Sequence, residues 1–470
     1  MSAIQGEKIS GEATEAPAVH GLHRSMKILG TLLITLSAVS PASSVFIIIP
    51  GIVQTAGSGA FLSMIFAAIV GIFMSLVYAE LASAFPLTGG EYAIVGRVVG
   101  PLAGFIVLGV NTLSSILIPA VFALGLSSYL TVLFPHFQVV STAVVAVVIA
   151  TLISTLNIRS NAIITGIFLV IEVLALVILV VLGFVHVSRP ITDLILHPVM
   201  LKGTGLVGTP IGLIGMGVTI AIFAYNGYGS AVYFGEEMHD ATKKIGRAIL
   251  MALGITVLCE IVPLTAVLMG ANDLKDLFGS SNMFGDFIAN RSGSTMNTII
   301  SLGIALAIFN AMIACILAAA RMVFSTARDK VWPLGIDNFL VKTHSRFHSP
   351  YISTLFCGVL AAGACFVNET ALFVITGTGL IVIYAALCFA VILGRKRGTT
   401  GHGHYRMPFF PLAPIGALLM LLYVTYANWQ DPVIGRPSLF TTLGVIIVSA
   451  AYYHFVLRRK GAWVLRGPQN

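Results

Sequence analysis

Two short polar strings interrupt long apolar segments of this chain, and their residue types define a chemistry for charged ligands. The first is Ser40-Pro41-Ala42-Ser43-Ser44, inside the segment 28–54; the second is Tyr225-Asn226-Gly227-Tyr228-Gly229, inside 211–234. Proline lacks an N–H donor and clashes with the preceding turn, while serine hydroxyls compete for backbone hydrogen bonds, so a continuous helix is not expected through the first string. In hydrocarbon the freed N–H and C=O groups must find partners, which confines such a break to the wall of a protein cavity. A half-helix beginning after Ser44 would aim N–H groups and a positive dipole end at an anion. One ending near Phe223, Ala224 and Tyr225 would offer carbonyl oxygens to a cation. Candidate ligand contacts are therefore Ser40, Ala42, Ser43, Ser44 and Val45 at the first break, and Phe223, Ala224, Tyr225 and Gly227 at the second. Two acids in other apolar segments, Glu172 and Glu260, and Tyr228 beside the second break are candidates for coupling or gating. A charge at mid-membrane depth costs at least about 2.5–3.5 kcal/mol, so an acid there faces a partner or water.

The elements that must position these groups are membrane helices. Of the 470 residues 57% are hydrophobic and only 9% charged, with a mean hydropathy of +0.98, whereas soluble domains carry about 25% charged residues. Apolar runs of roughly 18 residues or more, enough to cross a hydrocarbon core of about 30 Å, recur along the whole length. The spans read as 28–54, 60–84, 101–133, 139–156, 160–186, 211–234, 247–269, 297–327, 351–366, 370–393, 409–428 and 438–457. That is an all-α membrane protein of twelve transmembrane helices, the eighth continuing as helix past the membrane surface. The polar first 24 residues lack a short apolar core with a cleavage site, so no signal peptide is expected. Residues 1–27 are expected as a disordered cytoplasmic tail, 28–457 as one membrane domain and 458–470 as a basic cytoplasmic tail.

The net charge of +8 follows this topology. With both termini inside, twenty of the 26 lysines and arginines fall in cytoplasmic segments and five in outer loops, with Arg321 inside a span. The bias obeys the positive-inside rule and argues against a nucleic-acid partner. The five cysteines all sit in predicted spans and read as small core hydrophobes. His402 and His404 share a Gly-rich basic loop, and a metal role is not expected of them. No HExxH, GxSxG or P-loop string is present, which speaks against an enzyme. No repeated filter-like loop or charged ring suggests a channel. No metal or organic cofactor is implied.

The two breaks lie in the first and sixth spans, which cross in opposite directions. A unit of five spans repeated once is then inverted in the membrane, the symmetry that supports alternating access, and paired interrupted segments point to a transporter's central site. The last two spans fall outside the repeat and serve packing or dimerisation, so a homodimer is open. Gly104, Gly109, Gly125 and Ser128 in the third span, and Ala307, Ala311, Ala314 and Ala318 in the eighth, have helix-contact spacing.

Several strings resemble one family in order. Tyr78-Ala79-Glu80-Leu81 and Pro86-Leu87-Thr88-Gly89-Gly90-Glu91-Tyr92 resemble the YAEL…P-x-x-GG-x-Y signature of the amino acid–polyamine–organocation (APC) transporter superfamily. GPLAGF from Gly100, FAYNGYGSAVYFGEEMHDATKKIGRAI at the sixth-span exit, and Arg321 with Ala327-Arg328-Asp329 before Pro333 continue the match. The resemblance implies a leucine-transporter-type fold: two inverted five-helix repeats with discontinuous helices 1 and 6, plus two extra helices. It further implies secondary active transport of amino acids across the cell membrane, proton-coupled or by exchange. An α-amino acid carries a carboxylate and an ammonium on adjacent atoms and could bridge two facing helix ends. The alternative substrate is a carboxylate-free amine of the polyamine, choline or ethanolamine type; the altered first break and Glu172 favour the amine, and the retained serines favour the amino acid.

Three departures stand out. Many amino acid members have Gly-Ser-Gly-Ile at the first break, where this chain has Ala42-Ser43-Ser44-Val45. The sixth-span exit has Asp240-Ala241-Thr242 and Gly246 where prolines are usual. Proton-coupled members carry a lysine in the fifth span in a string like F-x-x-I-K, whereas Phe168-Leu169-Val170-Ile171-Glu172 places a carboxylate there. Three roles are open to Glu172: a protonated structural group, a proton carrier, or part of a cation site, sodium being the lesser expectation because it wants several oxygen ligands. For Glu260 the plain reading is a neutral carboxylic acid hydrogen-bonded in the bundle. Glu80, Glu236 and Glu237 read as structural partners of Arg321 or the basic loops, with gating as the sharper alternative. Phe223, Tyr225 and Tyr228 could line the cavity, close over a substrate or stack on a cation. Asn111, Ser114, Ser115 and Asn310 read first as helix-to-helix polar contacts.

Overall fold

The computed structural model describes residues 24–460 apart from 134–135, 281, 334, 368, 431 and 433–434, together with 463 and 465. The chain is mostly helical, and among the described residues nine helical stretches are long and apolar enough to cross a membrane. It is a multi-pass membrane protein. The first stretch, Ile28–Ala84, spans 57 residues and holds two of the expected spans, separated by the short 3₁₀ turn Gly57–Gly59. The expected fourth and ninth spans are the shorter helices Val139–Ser154 and Tyr351–Ala364. With 16 and 14 residues they reach only about 24 and 21 Å at 1.5 Å per residue, short of a hydrocarbon core of about 30 Å. The seventh helix starts at Ala241, earlier than expected, and the eighth runs unbroken from Ser294 to Arg328. A two-stranded hairpin, Val199–Lys202 with Gly205–Gly208, sits between the fifth and sixth spans.

Helix Ile158–Val185 illustrates how the sequence chooses the inward face. Ile163, Ile167, Val170, Leu174, Val177 and Val181 recur every three or four positions and are exposed, the stripe that hydrocarbon would cover. Asn161, Thr165, Leu169, Glu172, Leu176 and Leu179 lie on the other side and are buried. The rotation that turns the all-aliphatic stripe outward thus brings Glu172 inward. In helix Ser294–Arg328 the small residues Ala307, Ala311, Ala314 and Ala318 are likewise buried, so this helix can approach its neighbours closely.

Residues 1–23, most of the expected amino-terminal tail, lie outside the described residues. Ser25 and Met26 donate their N–H groups to the Glu237 carbonyl (3.1 and 2.9 Å), and His239 N–H returns to Met26 O (2.8 Å). Most of the expected carboxy-terminal tail also lies outside the described residues, but Trp463 is buried and donates from Nε1 to Asp329 O (3.1 Å). The five cysteines are free and buried or half-buried.

Candidate functional site

The first break is a tight restart. Helix Ile28–Val39 ends at Ser40, whose φ of 50° and ψ of 74° are left-handed, and helix resumes at once with Pro41 at its first position. Proline is suited to that place because its missing N–H would be unpaired anyway. The restart therefore comes at Pro41 and not after Ser44, as the sequence reading expected. Its first free donor, Ala42 N–H, is given to Glu172 Oε1 at 2.7 Å. Ser40 Oγ donates to the same oxygen (3.1 Å), and Ser44 N–H goes to Ser40 O (3.1 Å). The acceptor that the helix start meets is thus a residue of the chain itself.

At the second break, helix Ile211–Ala224 stops at Tyr225, Gly227 takes φ 121°, and a 3₁₀ segment follows over Tyr228–Glu237. Asn226 N–H turns back to Phe223 O (3.0 Å). The breaks touch: Ser44 Oγ donates to Ala224 O (3.0 Å), and a β-carbon at Gly227 would lie 3.0 Å from Val39 Cα.

A cavity of about 160 Å³ opens beside this junction. Of the residues expected from sequence, Ser43, Ser44, Phe223, Ala224 and Gly227 line it. Ser40, Ala42, Val45, Tyr225 and Tyr228 are buried behind that wall. The Tyr225 hydroxyl donates to Met64 O (3.2 Å). Tyr228 packs edge-on against Tyr78 (ring centroids 6.0 Å). Glu172 and Glu260 are fully buried and do not line the cavity. Glu260 approaches Ser44 and interacts electrostatically with Glu172. Among the described residues Glu172 Oε2 has no hydrogen-bond partner, and the Ser44 side chain is the hydrogen-bonding group beside Glu260.

The cavity also holds a residue that sequence reading missed. Glu91 lies between the second and third spans, in a stretch that hydropathy assigns to a loop. Gly90, with φ 57° and no space for a β-carbon beside the Tyr233 ring (2.5 Å), lets helix Gly90–Val98 tuck into the bundle. Glu91 then accepts Tyr78 OH at Oε1 (3.0 Å), and Asn111 Nδ2 at Oε2 (3.1 Å). Tyr233 OH is also donated to Oε2. Asn111, Ser114 and Ser115 line the cavity as well, so this polar patch faces more than a neighbouring helix. Asn310 does not: its Nδ2 bonds Ser37 Oγ (2.9 Å) and Thr165 O (3.2 Å).

The other acids singled out by the motifs, Glu237, Glu236 and Glu80, are paired with arginines. Arg321 meets Glu237 through Nε (2.8 Å) and Nη2 (3.2 Å), both side chains buried. Arg328 grips Glu236 with two bonds of 2.7 Å, and Arg395 grips Glu80 at 2.7 and 2.6 Å. Removing one member of a buried pair leaves an uncompensated charge and costs about 3–5 kcal/mol. Arg321→Met is therefore expected to lose that much stability, read as a fall in unfolding temperature in detergent. Adding Glu237→Leu is expected to recover most of it. A single variant as stable as the parent would count against the pair as a strut.

The amino acid permease family profile matches residues 27–451. Similar proteins include the methylthioribose transporter of Bacillus subtilis, 24% identical over 81% of this chain and 83% of that protein. The branched-chain amino acid permease BcaP of Lactococcus lactis is 25% identical over 87% of this chain and 89% of its own. The mouse Asc-type amino acid transporter 1 is 27% identical over 63% of this chain and 56% of that protein. The family and these relatives are transporters and not enzymes, and the APC resemblance carried by the motifs is borne out. The chain belongs to the amino acid permease family.

Proposed function

We propose that this protein is a secondary active transporter that moves amino acids across the cell membrane by alternating access. The observation that carries the reading is the meeting of two broken helices, through Ser44 and Ala224 and through Gly227 and Val39, on the wall of one small cavity. Twelve spans are supported by the two limbs of Ile28–Ala84, the other eight long stretches and the two short apolar helices. In this reading spans one to five and six to ten are inverted repeats, two further spans flank them, and both termini are cytoplasmic. The substrate lies against Ser43, Ser44, Phe223 and Ala224. Coupling to a proton, or exchange of one substrate for another, completes the cycle.

A carboxylate-free amine is the second reading, favoured by the occupation of the Ala42 N–H by Glu172. The test is purified protein in proteoliposomes, with an imposed inward proton gradient and a panel of radiolabelled amino acids and amines. Saturable accumulation of at least one amino acid is expected. Accumulation of amines alone would replace the substrate class, and absence of flux for every compound, with or without the gradient, would end the transport reading.

A further inference from the structure

We infer that Glu91 is the acceptor for the substrate's ammonium group, at a place apart from both helix breaks. The inference rests on the transport reading above and adds to it the chemical group that the cavity recognises. Among the described residues that line the cavity there is no lysine, arginine or histidine, and Glu91 is the carboxylate of its wall. The hydrogen bonds it receives come from neutral donors, Tyr78, Asn111, Tyr233 and its own backbone N–H. None of the ion pairs among the described residues includes it. Burial pushes the Glu91 carboxyl above the usual carboxylate range, with these hydrogen bonds acting against it, and a bound ammonium would supply the counter-charge that favours the ionised form.

The distribution of those donors leaves room for a cation. Oε2 takes Asn111 and Tyr233, and Oε1 takes Tyr78. A carboxylate has about four lone-pair sites over its two oxygens, so the remaining one is shared between the residue's own backbone N–H and any ligand that displaces it. An ammonium group carries three donors and no acceptor, and its hydrogen bond to a carboxylate is charge-assisted, roughly twice as strong as a neutral one. At the second break the competing acceptors are weaker and already engaged. Ala224 O takes the Ser44 hydroxyl, and Phe223 O takes Asn226 N–H. The three side-chain donors to Glu91 come from the second span, the third span and the sixth-span exit, so they also fix the direction in which the carboxylate faces.

The experiment titrates the purified full chain by ligand-induced thermal shift with matched trios. Each trio is an amino acid, the amine left on removing its carboxylate and the acid left on removing its ammonium; the first is leucine, isoamylamine and isocaproate. For the trios that bind, the amino acid and amine members are expected to bind the wild type, with the amine within about tenfold of the amino acid, and the acid member to fail. In Glu91→Gln the Kd of the ammonium-bearing members is expected to rise about tenfold or more, the loss of a charged hydrogen-bond partner. Unchanged amine affinity in that variant overturns the inference, as does an acid member that binds the wild type while its amine does not. If Glu91→Gln does not fold, the wild-type comparison within each trio decides alone. A wild type that binds no member of any trio and moves no substrate in proteoliposomes brings down the transport reading itself; flux with unselective binding removes only this inference.

Discussion

Gly227→Leu is expected to abolish substrate uptake while leaving membrane insertion and expression intact. Gly227 has φ 121°, a backbone conformation that L side chains rarely adopt, and its absent β-carbon would lie 3.0 Å from both Cα and Cγ2 of Val39. Val39 is the last residue of the first half-helix. A leucine there must both strain the turn and push the two breaks apart, and the Ser44–Ala224 hydrogen bond spans the same gap. Ser44→Pro attacks the junction from the other side, by removing that hydroxyl and the N–H donated to Ser40 O. Proline also clashes with the carbonyl of the preceding turn, at about 3 kcal/mol or more inside a helix. The check is radiolabelled uptake normalised to the membrane-inserted protein. Normal uptake in either variant would contradict a site built from these two backbones.

The second large effect concerns Glu172. Its Oε1 caps the restarted helix through Ala42 N–H and takes the Ser40 hydroxyl, while Oε2 has no partner among the described residues. Both protonation states have support: the helix start favours the anion, and burial favours the neutral acid. The titratable groups that interact with this pair of acids are Cys259, which feels both, and Tyr225, which feels Glu260. Two interacting carboxyls release their protons in steps that belong to the pair. We propose that Glu172 carries the coupling proton, so Glu172→Gln should keep the cap, because a glutamine oxygen can still accept Ala42 N–H, and lose the exchangeable proton. The expected result is loss of accumulation driven by an inward proton gradient, with substrate binding and exchange retained. Glu172→Ala, by contrast, leaves a buried N–H unpaired and should lower stability by about 1–3 kcal/mol. Unchanged gradient-driven accumulation in Glu172→Gln would make Glu172 a structural cap and move the search to Glu260.

Much of the architecture is legible without coordinates, and for a definite reason. In hydrocarbon a proline or a run of hydroxyls is a costly departure from the surrounding pattern, so Ser40–Ser44 and Tyr225–Gly229 announce themselves as breaks. The aliphatic stripe from Ile163 to Val181 has a helical period that turns Glu172 inward. The motifs around Tyr78, Gly89 and Arg321 point to the family, and the family profile agrees.

The composition of the site was decided by contacts across long stretches of chain. Pro41 both ends one helix and suits the first position of the next, so local sequence does not say where the second half-helix starts; the left-handed Ser40 does. Glu172 finds Ala42, 130 positions away, and that contact turns an expected substrate anchor into an internal cap. Tyr225 turns from the cavity to Met64 O, a choice that the packing of the second span makes. Glu91 is the clearest case. Hydropathy assigns it to a loop, because a nine-residue helix with a glutamate and an arginine is too short and too polar to read as a span. Only when the positive φ of Gly90 folds that helix back against Tyr233 does the carboxylate meet its three side-chain donors and the cavity. Sequence patterns report how each segment partitions between lipid and protein, since that depends on the segment's own side chains. Which buried polar groups meet inside depends on the relative placement of helices, and that is set by the packing of the whole bundle.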